Sequence, residues 1–102
     1  MAIMSIARWQ FKPARVAEGI ENAKKFKEFF LENGAESVDW GNVLAGTGPG
    51  EWAMFIRYPD LSTMEKAFQA AMANTEIAKV FMDPDPPASL TDRTLYSLVD
   101  MN

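Results

Sequence analysis

Residues 36–58 read ESVDWGNVLAGTGPGEWAMFIRY, two alternating runs around a glycine-rich centre. Residues 36–46 and 51–58 each predict a strand. Between them Gly46-Thr47-Gly48-Pro49-Gly50 predicts a hairpin loop, because glycine reaches the backbone angles that tight turns need. A turn centred on Gly48 sets Asp39 opposite Arg57, Gly41 opposite Phe55 and Val43 opposite Ala53. The other face then carries Val38, Trp40, Asn42 and Leu44 against Tyr58, Ile56, Met54 and Trp52. Opposite charges facing each other favour this register modestly. A slip of one residue would place Trp40 opposite Arg57 and turn every side chain to the other face. Both faces carry apolar groups, so both need cover.

Working outward, residues 16–33 predict a long helix. Val16, Gly19, Ile20, Ala23, Phe26 and Phe30 fall on one stripe at 100° per residue, with Glu18, Glu21, Lys25, Glu28 and Glu32 opposite. Gly34 follows as the left-handed residue that ends it. Upstream, residues 3–11 (IMSIARWQF) alternate as a strand that Pro13 stops. Downstream, Ser62-Thr63-Met64-Glu65 has the pattern of a capping box. Its helix carries Met64, Ala67, Phe68, Ala71 and Met72 on one stripe. Ile77, Val80 and Phe81 do not continue that stripe, which predicts a break with Thr75 capping a second piece that ends near Met82. Residues 83–92 (DPDPPASLTD) predict an extended proline-rich connection, and residues 93–101 a last strand. The order β-α-β-β-α-β is the ferredoxin-like α+β arrangement, expected as one domain over 1–102. Its four-stranded antiparallel sheet has both helices on one face. The other face stays apolar and uncovered, which predicts a homodimer packed sheet to sheet.

Composition narrows the chemistry. The 102 residues include no cysteine and no histidine. Disulfides, thiolate nucleophiles, thiolate metal sites, imidazole bases and His-ligated haem are therefore excluded. The net charge is −4, and Lys24, Lys25 and Lys27 are interleaved with glutamates, so nucleic acid is not an expected partner. No apolar run approaches the roughly 18 residues that span a membrane. Residues 1–11 show no signal-peptide pattern, and a cytoplasmic location is expected.

Few motifs carry chemistry. The Gly46–Gly50 loop lacks the lysine and the following helix of a phosphate-binding loop. Asp83, Asp85 and Asp92 lack the glycine and glutamate of a calcium loop and read as a solvated segment, with a lid over a pocket mouth as the functional alternative. No metal site and no cofactor is expected. Lys27 borders the apolar stripe and reads as a lysine whose stem covers the sheet edge. Phe29, an aromatic on the polar side, reads as a contact residue. The remaining group is aromatic plus amide: Trp9, Trp40, Asn42, Trp52, Tyr58 and Tyr96, candidates to line a ligand pocket. The bland account of the same residues is that the rings are core and Asn42 a satisfied strand residue.

The whole chain resembles the dimeric α+β barrel superfamily, which includes antibiotic-biosynthesis monooxygenase-like and NIPSNAP-like proteins. The resemblance is one of length, element order, the helix ending in Asn33-Gly34-Ala35, the glycine-rich hairpin and the two-part second helix. It implies a homodimer and a pocket between sheet and helices, but no single reaction. Cofactor-independent oxygenases of that superfamily hold phenolic substrates with Asn, Trp and Tyr side chains, and the deprotonated substrate itself activates dioxygen. Three readings follow: a binder of a small apolar or aromatic ligand, a cofactor-independent monooxygenase acting on a phenolic compound, and a dimerisation module without catalysis.

Overall fold

A computed structural model describes residues 1–46, 48 and 50–101. The elements run β1 (Ile3–Phe11), α1 (Val16–Glu32), β2 (Ser37–Asn42), β3 (Trp52–Tyr58), α2 (Leu61–Ala73), α3 (Thr75–Phe81) and β4 (Ala88–Ser97), with a 3-10 turn over Pro13–Arg15. The four strands form one antiparallel sheet in the order β2-β3-β1-β4. This is the ferredoxin-like α+β fold.

Alternation in β1 decides which face meets the helices. Ser5, Ala7, Trp9 and Phe11 are buried, and their partners across the ladder include Ile56, Met54 and Trp52. The core joins this face to Phe26 and Phe30 of α1, Met64, Ala67 and Ala71 of α2, and Ile77 of α3. Helix α1 buries Gly19, Ala23, Phe26 and Phe30, the stripe expected from its periodicity. It ends as expected: Gly34 has φ +103°, and the N–H of Ala35 donates to the carbonyl of Phe30 at 2.9 Å. Opposite the helices, the sheet presents Met4, Ile6, Phe55 and Tyr96.

The hairpin register differs from the sequence expectation by two residues. Arg57 faces Ser37, Asp39 faces Phe55 and Gly41 faces Ala53. An even shift keeps every side chain on its expected face. The Asp39–Arg57 pair does not form. Arg57 lies instead 3.7 Å from Glu36, and a half-exposed ion pair is too weak to hold a register. Strand β2 ends at Asn42, short of residue 46. The N–H of Val43 still donates to the Glu51 carbonyl (2.8 Å), one pair beyond the end of the strand. Of the glycine-rich loop, Thr47 and Pro49 lie outside the described residues.

Three further boundaries move for identifiable reasons. Helix α2 is capped by Asp60, not Ser62: the Asp60 carboxylate accepts from both the N–H and the hydroxyl of Thr63 at 2.7 Å. A carboxylate accepting two donors outcompetes a single hydroxyl, and these bonds hold its pKa below the usual range. Helix α3 is capped by Asn74 rather than Thr75, through a 3.0 Å bond from the N–H of Ile77. Strand β4 begins at Ala88, inside the segment expected to be a connection, and ends at Ser97. It pairs with β1 along its length through a bulge at Arg8/Trp9, where Thr91 is the extra residue. The hydroxyl of Thr91 donates to the Arg8 carbonyl at 3.2 Å. That bulge breaks the alternation that would otherwise mark residues 88–97 as one strand.

Candidate functional site

Small residues on a buried helix stripe leave room beneath them. Gly19 and Ala23 of α1 lie over β1, and a Cβ added at Gly19 would sit 2.6 Å from the Phe11 ring. Only glycine lets the helix backbone approach that ring. Next to this contact lies a cavity of about 330 Å³ between sheet and helices. Trp9 and Phe11 of β1, Trp40 of β2, Phe26 of α1 and Phe81 of α3 form its aromatic walls. Asn22 and Ala23 of α1, Val80 of α3, and residues 86–90 complete it. No lining residue is ionisable. The polar side chains in the lining are Asn22, Ser89 and the two indoles.

The rings support each other. Trp9 lies 6.1 Å from Phe26 and 6.4 Å from Phe81, which stack on one another at 5.2 Å. Phe11 stacks on Trp52 at 5.0 Å and meets Trp40 edge to face at 6.5 Å. The indole N–H groups of Trp9 and Trp40 are buried and have no hydrogen-bond partner among the described residues. A buried donor left unpaired costs about 1–3 kcal/mol, and both of these belong to residues of the cavity wall.

One rim is fixed by charge. The segment after α3 places Pro86 and Pro87 in the cavity wall. The ammonium of Lys12 pairs with the Asp85 carboxylate, and Arg15 reaches the same carboxylate at 3.4 Å and its backbone carbonyl at 2.7 Å. Lys12, and after it Arg15, hold the Asp85 carboxyl below its usual pKa. The backbone N–H of Lys12 donates to the Pro87 carbonyl at 2.9 Å. The proline-rich segment is thus a wall tied to the start of α1.

Of the six residues selected from the sequence, the structure brings Trp9 and Trp40 to this cavity. Trp52 stands one ring behind, stacked on Phe11. Asn42 ends β2 and is exposed. Tyr58 is fully buried at the far end of β3, and Tyr96 lies on the helix-free face opposite Met4. Lys27 is exposed, and Phe29 packs edge to face on Phe30 at 5.6 Å. The lining amide, Asn22, was not selected. The available signal was its place beside Gly19 and Ala23, the two small residues of the buried stripe. No cluster of three or more carboxylates suited to a metal ion occurs among the described residues, and no helix among them is long and apolar enough to cross a membrane.

A sequence model of a family described as a domain of unknown function, DUF6854, matches residues 3–86. The chain belongs to this family. Solved structures of similar fold accompany it. Rv0793 from Mycobacterium tuberculosis superposes on this DUF6854 chain with a TM-score of 0.69 at 14% identity, covering 98% of this chain and 97% of that one. A conserved protein from Methanosarcina mazei Go1 gives 0.68 at 19% identity, covering 94% and 91%. SnoaB from Streptomyces nogalater, described as a cofactor-independent oxygenase, gives 0.69 at 11% identity, covering 98% and 95%. The DUF6854 chain therefore has the fold of the antibiotic-biosynthesis monooxygenase-like dimeric α+β barrel proteins. No curated protein matches its sequence.

The buried Tyr58 yields a prediction independent of any ligand. Its hydroxyl has no hydrogen-bond partner among the described residues, and burial pushes its pKa up to about 12. The unfolded chain releases this proton near pH 10, before the folded chain does. Stability from this group is therefore complete below pH 10 and is lost as pH rises towards 12. Tyr58→Phe is expected to flatten that alkaline decline in urea unfolding. At neutral pH it should leave stability unchanged or raise it by about 1 kcal/mol, since the deleted hydroxyl is unpaired.

Proposed function

We propose that this protein binds a flat, largely apolar aromatic molecule in the cavity between sheet and helices, as a homodimer joined through its helix-free sheet face. The observation that carries the binding reading is the aromatic cavity with two unpaired indole donors. Its volume falls at the lower end of the range for small-molecule pockets, enough for a few fused rings. Stacking on Trp9, Phe26 and Trp40 would supply affinity, and acceptor atoms on the ligand would supply orientation. The homodimer is supported by Met4, Ile6, Phe55 and Tyr96, which place apolar side chains on a sheet face that no helix covers.

A second reading, a cofactor-independent monooxygenase, is favoured by one feature of the cavity. Its lining offers no acid or base, so a reaction there would rely on a phenol or enol that ionises itself. Asn22 is the amide available to stabilise the resulting oxyanion. The fold shared with SnoaB is compatible with this chemistry.

Ala23→Leu places a larger side chain in the cavity and is expected to weaken an aromatic probe such as pyrene by tenfold or more while the circular dichroism is unchanged. Unchanged affinity would move the binding site elsewhere. Light scattering should return a dimer mass for the wild type and a monomer mass for Ile6→Asp, because an unpaired carboxylate cannot be buried between two sheets. A wild-type monomer would remove the dimer. For the second reading, oxygen uptake with a panel of polycyclic phenols should fall about tenfold in Asn22→Ala. No uptake across the panel leaves binding alone.

A further inference from the structure

Resting on the cavity reading above, we propose that Arg93 anchors an acidic head on the bound molecule, so that the ligand is an apolar aromatic body carrying a carboxylate. Beyond the main cavity lies a smaller chamber of about 70 Å³, and Trp9, Phe81 and Leu90 line both. The second chamber adds Phe68 and Arg93. The ladder fixes their relation: Trp9 pairs with Leu90, Ala7 pairs with Arg93, and all four share the helix-side face. Arg93 therefore stands two strand steps from the wall of the main cavity, about 7 Å along the sheet.

Arg93 differs from the other arginines. Arg8 lies beside Glu51, Arg15 beside Glu18 and Arg57 beside Glu36. Arg93 has no carboxylate partner among the described residues. Its guanidinium lies 3.9 Å over the ring of Phe68. Such stacking occupies the flat face of the cation and leaves its N–H edge available. That edge is a planar fork, which matches the two oxygens of a carboxylate. Arg93 is exposed on the edge strand, and partial desolvation lowers its pKa from the usual value while the guanidinium stays charged at neutral pH. A cation beside an apolar chamber, with one face on an aromatic ring and its N–H edge in water, leaves that edge open to an anion. The main cavity supplies the place for the body of a molecule whose head would complete it. The short distance between the two chambers calls for a linker of a few atoms past Phe81.

The test uses pyrenebutyrate and its carboxamide, whose bodies are identical and whose heads differ in charge. Fluorescence anisotropy of the full chain should show the acid binding roughly tenfold more tightly than the amide, the scale of a half-exposed charge-assisted pair. Arg93→Gln is expected to weaken the acid to the level of the amide and leave the amide unchanged, which also reports an intact site. Arg93→Lys should keep part of the preference, since it retains the charge and loses the fork. Equal affinity of the two probes for the wild type overturns the inference even if Arg93→Gln does not fold. A preference that survives Arg93→Gln overturns it too, and in both cases binding in the cavity stands. Failure of both probes to bind overturns the cavity reading and this inference with it.

Discussion

The approach of Phe11 to the backbone of α1 at Gly19 is the contact on which the rest of this molecule depends. A methyl group there would overlap the ring at 2.6 Å, so the helix could not lie where it does with any other residue. The ring, held flat against the helix, also stacks on Trp52 and meets Trp40 edge to face. It therefore links the edge strand β2 and its neighbour β3 to the helix layer. The same glycine, with Ala23 one turn on, supplies too little side chain to fill the layer. A helix seated on one large ring by a residue without a side chain leaves a gap next to that ring, and the cavity is that gap.

The polar side chains around the gap are few and neutral. The indole N–H groups of Trp9 and Trp40 have no partner among the described residues, while Asn22 and Ser89 of the same lining each carry an oxygen that can accept. These polar atoms separate the present cavity from a simple packing defect, which would be lined by aliphatic side chains.

Much of the fold was legible because it rests on periodicity. The stripe of α1 and the alternation of β1 each have one period and one burial pattern, and the β-α-β-β-α-β order follows from them. The hairpin register was not legible at the same level. Asp39 and Arg57 favour one pairing, but an exposed ion pair is worth too little to fix a register, and Arg57 lies beside Glu36 instead. Strand β4 was obscured by the bulge at Thr91, which puts two residues opposite one and resets the alternation. The site was less legible than the fold. Strand parity says which face a tryptophan occupies, and in the hairpin it put Trp40, Trp52 and Tyr58 on one face. It does not say how far along the strand the layer opens. That depends on where the small residues of α1 fall, so Trp9 and Trp40 meet the cavity, Trp52 stands behind Phe11, and Tyr58 lies at the far end.

The break between α2 and α3 gives the cavity its remaining wall. Asn74 leaves the helical conformation and accepts from the N–H of Ile77, which starts a new helix with a new phase. A continuous helix would carry the stripe of Ala67 and Ala71 onward. The restart instead buries Ile77 and brings Phe81 against Phe26 and Trp9. Phe81 is still 40% exposed, so this ring, which lines both chambers, is the most exposed aromatic wall among Trp9, Phe11, Phe26 and Phe81. Its backbone lies at the end of a seven-residue helix, followed by a proline-rich segment tied down through Asp85. The stiff parts of the site are thus β1 and α1, and the adaptable part is the end of α3. Of the three side chains that line both chambers, Trp9, Phe81 and Leu90, Trp9 is buried and the other two are exposed.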